Sequence, residues 1–108
     1  MASATYWQRG EALDYTNTGS DKITVGTVIK IGTRIGIAGD DILPKATGSL
    51  HVAGVFEFKK TSAAEIKMGT TVYFDGTGIT EAEGSNAVAG YAAEDVGTSA
   101  TTIKVKIG

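Results

Sequence analysis

Gly26-Thr27-Val28-Ile29-Lys30-Ile31-Gly32-Thr33-Arg34-Ile35-Gly36-Ile37-Ala38 is the stretch whose reading decides the fold. Two short β-branched runs flank a Gly-Thr-Arg bend, the pattern of a β-hairpin. A two-residue loop at Gly32-Thr33 would set Ile31 opposite Arg34 and Lys30 opposite Ile35, mixing charge with apolar surface on both faces. A three-residue bend instead gathers Ile29, Ile31, Ile35 and Ile37 on one face and Val28, Lys30, Gly36 and Ala38 on the other. A slip of one residue exchanges the faces, so burial should select the register with the all-isoleucine face. The three-residue bend is the expectation, with those four isoleucines as core.

The rest of the chain must cover that face. Its 108 residues suffice for one core and are too few for two. Gly and Thr each occur 15 times and Pro once, a balance that favours strands joined by tight connections. Glu11 to Thr16 alternates polar and apolar residues and runs into the turn-forming Asn17-Thr18-Gly19-Ser20-Asp21. Gly48 to Lys59 reads as the longest strand-like run, with Leu50, Val52, Gly54, Phe56 and Phe58 inward and Gly54 marking a bulge, bend or close approach. Thr70 to Phe74, a short return strand at Ile79, Ala87 to Ala92 and Thr101 to Ile107 follow, with turns at Asp75–Gly78 and Gly84–Asn86. Thr61 to Lys67 alone has helical flavour, at a length where a turn or one short helix is expected. The fold class is therefore all-β: a small single-domain barrel or sandwich (β-clip-like) over residues 11–108, preceded by an extended arm at 1–10.

The two halves echo one another. Ile23-Thr24-Val25-Gly26-Thr27 returns as Ile66-Lys67-Met68-Gly69-Thr70, and Val52-Ala53-Gly54-Val55 returns as Val88-Ala89-Gly90-Tyr91. Chance in a sequence rich in Gly, Thr and Val explains this, as does a duplicated hairpin unit packed as two related halves. Two units are too few for a solenoid.

Chemistry is sparse. Without cysteine there is neither a disulfide nor a thiolate metal site. His51 is the single histidine and has no Gly-x-Ser-x-Gly elbow to serve, and Asp40-Asp41 lacks the spaced carboxylates of a cation loop. Turn chemistry accounts for that pair. Gly26 to Thr33 opens a strand rather than a helix and lacks the Gly-Lys-Thr ending of a phosphate loop. The net charge is −2 with no basic stripe, so neither nucleic acid nor a membrane is an expected partner, and no cofactor or metal is expected. The N-terminus lacks the apolar core of a secretory signal, and no run of about 18 apolar residues occurs. Tyr6-Trp7-Gln8-Arg9 is the sole aromatic and basic cluster. Its aromatics could tie the arm to this domain's own sheet or to another chain.

The marks Gly26-Thr27-Val28, Ile35-Gly36-Ile37-Ala38, Asp41-Ile42, Thr47-Gly48, Val52 to Glu57 and Val72-Tyr73-Phe74-Asp75 together resemble the DUF2190 family of phage proteins. Gln8 to Glu11, Leu13 to Thr16 and Ile103 to Lys106 fit as well, so the resemblance covers nearly the whole length. One departure is Phe58-Lys59-Lys60, where a proline is expected. The resemblance implies a capsid decoration, or cement, protein. Such a protein is made in the host cytoplasm, binds the outside of the phage head and stabilises it, commonly as a homotrimer at three-fold positions. It would be structural, not an enzyme, with the major capsid protein as partner. On that reading the arm residues Thr5, Tyr6, Trp7, Gln8 and Arg9 are the candidate capsid contact. An older family label, a recombination-associated nucleic-acid-binding protein, is the alternative.

Overall fold

The computed structural model describes residues 2–108. Among these residues the fold is all-β, without a helix. In chain order the strands are β1 (Ala12–Thr16), β2 (Val28–Ile31), β3 (Arg34–Ala38), β4 (Thr47–His51), β5 (Gly54–Lys59), β6 (Thr71–Phe74), β7 (Ile79–Thr80), β8 (Ala87–Ala92) and β9 (Thr102–Ile107). They make one open sheet in the order β1-β4-β3-β8-β6-β7, with β2 on the edge of β3 and β9 joining β8 to β5. The sheet curls over one apolar cluster, as in a small sandwich. Ile35 and Ile37 meet Phe58, Ile66, Val72 and Ile79 there, along with Ile103, Val105 and Ile107 of β9. The strict alternation of β9 puts those three residues at 1% exposure or less while Lys104 points outward.

The central hairpin takes the other register. Val28 pairs with Ile37, Lys30 with Ile35 and Ile31 with Arg34, leaving a two-residue loop at Gly32-Thr33. Ile35 and Ile37 enter the core as expected, but Ile29 and Ile31 lie half-buried on the opposite face. Two causes account for this. Gly32 sits at φ 63°, and with Thr33 at negative φ it supplies the first central position of a II′ turn, whose twist matches the strands. In addition, β3 is covered on both sides. A Cβ on Gly36 would come within 2.6 Å of Leu50 Cγ, so the second face is also packed and a single apolar face was never required. Lys30 escapes because β2 is an edge strand and its side chain is exposed.

The long run from Gly48 to Lys59 divides at Val52-Ala53 into β4 and β5, which join different partners: β4 pairs with β1 and β3, and β5 with β9. Thr61 to Lys67 forms no helix; Ile66 makes a single bridge to Val96.

That division is the boundary of a duplication. Gly26 N–H donates to Ala38 O at 2.8 Å, and Gly69 N–H to Ala92 O at 2.8 Å. Ala38 N–H donates to Thr27 O and Ala92 N–H to Thr70 O, both at 2.9 Å. Asp41 Oδ1 accepts from Val25 N at 2.8 Å as Asp95 Oδ1 does from Met68 N at 2.7 Å, and the bridge Ile23↔Ile42 matches Ile66↔Val96. Thus β1-β2-β3-β4 and β5-β6-β8-β9 are two copies of one unit. The first sequence echo marks it; the second does not, because Gly54 opens β5 whereas Gly90 lies within β8. The counterpart of Gly90 is Gly36: a Cβ at Gly90, which has φ 149°, would overlap the Lys106 carbonyl oxygen. Entry marks are 43 residues apart (Gly26, Gly69) and exit marks 54 apart (Ala38, Ala92), so 11 residues are inserted in the second copy. They contain β7.

The duplication also relates two buried polar residues, Asn17 (3% exposed) and Lys60 (5%), at the ends of β1 and β5. The Asn17 amide donates to Asp21 O at 2.7 Å and Ile42 O at 3.0 Å and accepts from Gly19 N–H at 3.0 Å. It closes the β1–β2 connection from inside.

Candidate functional site

Residues 2–9 precede the first strand, are exposed along their length and form no regular structure. Trp7 is 88% and Tyr6 79% exposed, so neither aromatic packs on the domain's own core. The segment is held at its root, where Val52 N–H donates to Glu11 O at 2.9 Å. Beyond that, Gln8 Nε2 donates to Ala12 O at 3.2 Å, and Arg9 Nη2 lies 3.0 Å from Glu11 Oε1 with both side chains in solvent. Exposed pairs of this kind hold geometry weakly. Thr5, Tyr6, Trp7, Gln8 and Arg9 are thus all exposed on this segment, and their hydrogen bonds go to Ala12 and Glu11 rather than to His51, Asp40 or Asp41.

His51 is half-buried at the end of β4, its ring 6.1 Å from that of Phe56. It packs over Gly39, where a Cβ would meet Nε2 at 2.8 Å. Asp41 accepts from the Val25 N–H and lies 3.8 Å from Lys22 Nζ, and Asp40 Oδ1 accepts from Ser49 N at 3.2 Å. Both carboxylates thus close turns. Among the described residues no three His, Cys, Asp or Glu side chains converge as a metal site, and no helix is long and apolar enough to cross a membrane.

Two surface features were not legible from motifs. The first is an apolar groove of about 370 Å³ between the β2–β3 hairpin and β5, lined by Val28, Ile37, His51, Phe56 and Phe58 among others. The second is a groove of about 330 Å³ between β2, at Val28 and Lys30, and the turn at Asp75-Gly76. The Thr61 hydroxyl donates to Asp75 at 2.6 Å and holds its carboxyl below the ordinary carboxylate value. Desolvation opposes this, and the N–H groups of Gly78 and Thr77 add smaller contributions to the lowering.

Comparison with known proteins gives one family: the model described as phage cement protein matches residues 7–107. The match takes in Trp7, Gln8 and Arg9 together with the whole sheet, and begins after Thr5 and Tyr6. No curated protein and no solved structure matches.

Proposed function

The chain belongs to the phage cement protein family, and we propose that it attaches to the outer surface of its phage's head by gripping the major capsid protein and stabilises the shell. On this reading residues 11–108 are one β domain acting as a rigid body, and residues 1–10 are an arm whose Thr5, Tyr6, Trp7, Gln8 and Arg9 supply the capsid contact. Homotrimers at three-fold and quasi-three-fold positions, and the narrower DUF2190 grouping, belong to the same proposal. The observation that carries it is the family match along 7–107. The arm adds physical support. A well-packed sheet leaves an extended segment with two exposed aromatics and an arginine, the residue types that most often anchor interfaces. Ordering such a segment only on the head costs conformational entropy, which burial of Trp7 and Tyr6 offsets. The role is structural: decoration requires no catalysis.

The test is co-sedimentation of the purified protein with expanded heads of its own phage that lack it. Saturable binding is expected, lost on deletion of residues 1–9 with melting unchanged. Failure of the full-length protein to sediment with such heads would refute the proposal.

A further inference from the structure

The two copies of the repeated unit differ most between their middle strands. In the first, β2 turns into β3 through Gly32-Thr33; in the second, the inserted residues between β6 and β8 carry β7. A strand of two residues has little ladder of its own. Two neighbours hold it. It pairs with β6 through Tyr73↔Thr80 and Phe74↔Ile79, and it meets the chain just past β5, where Ile79 bridges Lys60 and the Thr61 N–H donates to Ile79 O at 2.9 Å. Ile79 is fully buried there. A carboxylate stands before and after β7, and both reach the same short segment, Lys60-Thr61-Ser62. Asp75 accepts from the Thr61 hydroxyl at 2.6 Å and from the N–H groups of Thr77 and Gly78 at 2.9 Å each. Glu81 lies against the Ser62 hydroxyl and within reach of the Lys60 charge. Lys60 is 5% exposed, and among the described residues its ammonium donates to Ser62 O. A carbonyl does not cancel a positive charge, so this buried cation depends on Glu81 as its counter-ion.

We infer that the β7 segment is an acid-released strap: ionised Asp75 and Glu81 clasp it to Lys60-Thr61-Ser62, and when both are neutral it opens while the first half of the sheet stays folded. Protonating Asp75 weakens the charge-assisted bonds from Thr61 and the turn. Protonating Glu81 strands the Lys60 ammonium beside the apolar Ile79, and lifting the strap lets water reach it. The sign follows from the causes. The Thr61 hydroxyl first, then the Gly78 and Thr77 N–H groups, lower the Asp75 carboxyl against desolvation. The Ser62 hydroxyl first, with the Lys60 charge adding to it, lowers that of Glu81 against desolvation. The clasp is therefore complete above the ordinary carboxylate values and is lost as pH falls through the lowered ones. The other charged and titratable residues nearby are Lys30 of β2, lining the groove beside Asp75, Lys59, whose carbonyl Gly78 packs against, Tyr73 of β6 and Glu83 of the same connection. Lysine and tyrosine titrate well above neutrality, which leaves Glu83 as the control. With the strap open, the outer edge of β6 is as bare as that of β2.

Amide hydrogen exchange of the full-length protein, corrected for its intrinsic pH dependence, tests the inference. The reporter is Thr61, whose N–H is bonded to Ile79 O; Ile23 and Ile42, bonded to each other in the first half, are the reference. At pH 7 the double variant Asp75→Asn, Glu81→Gln is expected to lose at least tenfold of its protection at Thr61 relative to the reference pair. Acidifying the wild type to about pH 3 should move Thr61 in the same direction. Adding Lys60→Met to Glu81→Gln should restore protection, since no buried ammonium is left to strand. Thr61 protection unchanged in the double variant, lost equally at Ile23 and Ile42, or lost as much in Glu83→Gln would overturn the inference, as would a Lys60→Met change that restores nothing. None of these measurements involves a phage head, so their outcome is independent of the decoration reading.

Discussion

Replacing Asn17 with alanine removes three hydrogen bonds from a side chain that is 3% exposed. Each is worth about 1 kcal/mol net. Ile42 O keeps one partner, the Ile23 N–H at 2.9 Å, so its loss is partial. The change should therefore cost about 2–3 kcal/mol. At about 2.1 cal/mol/K of unfolding entropy per residue, a chain of 108 residues loses about 4–5 °C of melting temperature per kcal/mol, which gives a fall of about 9–13 °C. Asn17→Asp sharpens the test. It keeps an acceptor for Gly19 N–H but turns a carboxylate toward the carbonyls of Asp21 and Ile42, where two N–H donors had been. At neutral pH it should be at least as destabilising as alanine, and its deficit should shrink as acid protonates the carboxyl. Calorimetry of the three proteins at one concentration reads this directly. Melting of both variants within about 2 °C of wild type would refute the view that the buried amide holds the β1–β2 connection.

Three further outcomes follow from particular contacts. Gly90→Ala forces a Cβ onto the Lys106 carbonyl at φ 149° and should cost about 3 kcal/mol or prevent folding, whereas Gly36→Ala meets only the Leu50 side chain and should cost less; chemical denaturation ranks the two. Deleting residues 1–9 should leave melting within about 2 °C of wild type, because exposed contacts near the root are all that is lost, while binding to heads disappears. The lowered folded-state pKa of Asp75 means that its contribution is fully present above the ordinary carboxylate value and is lost as pH falls through the folded one. Asp75→Asn should melt below wild type at pH 7, and that gap should close in acid. A gap that widens in acid would contradict the sign.

Much of the architecture was readable where alternation is strict. Ile103, Val105 and Ile107 declare an inward face, and Asp75-Gly76-Thr77-Gly78 declares the turn before β7. The central hairpin misled because pattern reading assumes one wet face, and Gly36 conceals the fact that Leu50 packs on the other side of β3. The duplication was half visible. Ile23 to Thr27 and Ile66 to Thr70 share Ile, Gly and Thr at matching places, where each makes the same turn clasped by an aspartate, while β3 and β8 share little beyond a glycine and an alanine. The open edge of β2 could not be read at all, since it arises from a strand that one copy has and the other lacks. Tyr6-Trp7-Gln8-Arg9 stood out as an aromatic and basic cluster, but the sequence left two destinations open for its aromatics, this domain's own sheet or another chain. The exposure of Trp7 removes the first.

The central claim is decoration of a phage head, and cryo-electron microscopy of expanded, undecorated heads mixed with the purified protein tests it most directly. The account predicts ordered density on the outer surface at three-fold and quasi-three-fold positions, with residues 1–9 against the shell. Bare heads, or density scattered without relation to the lattice, would contradict it.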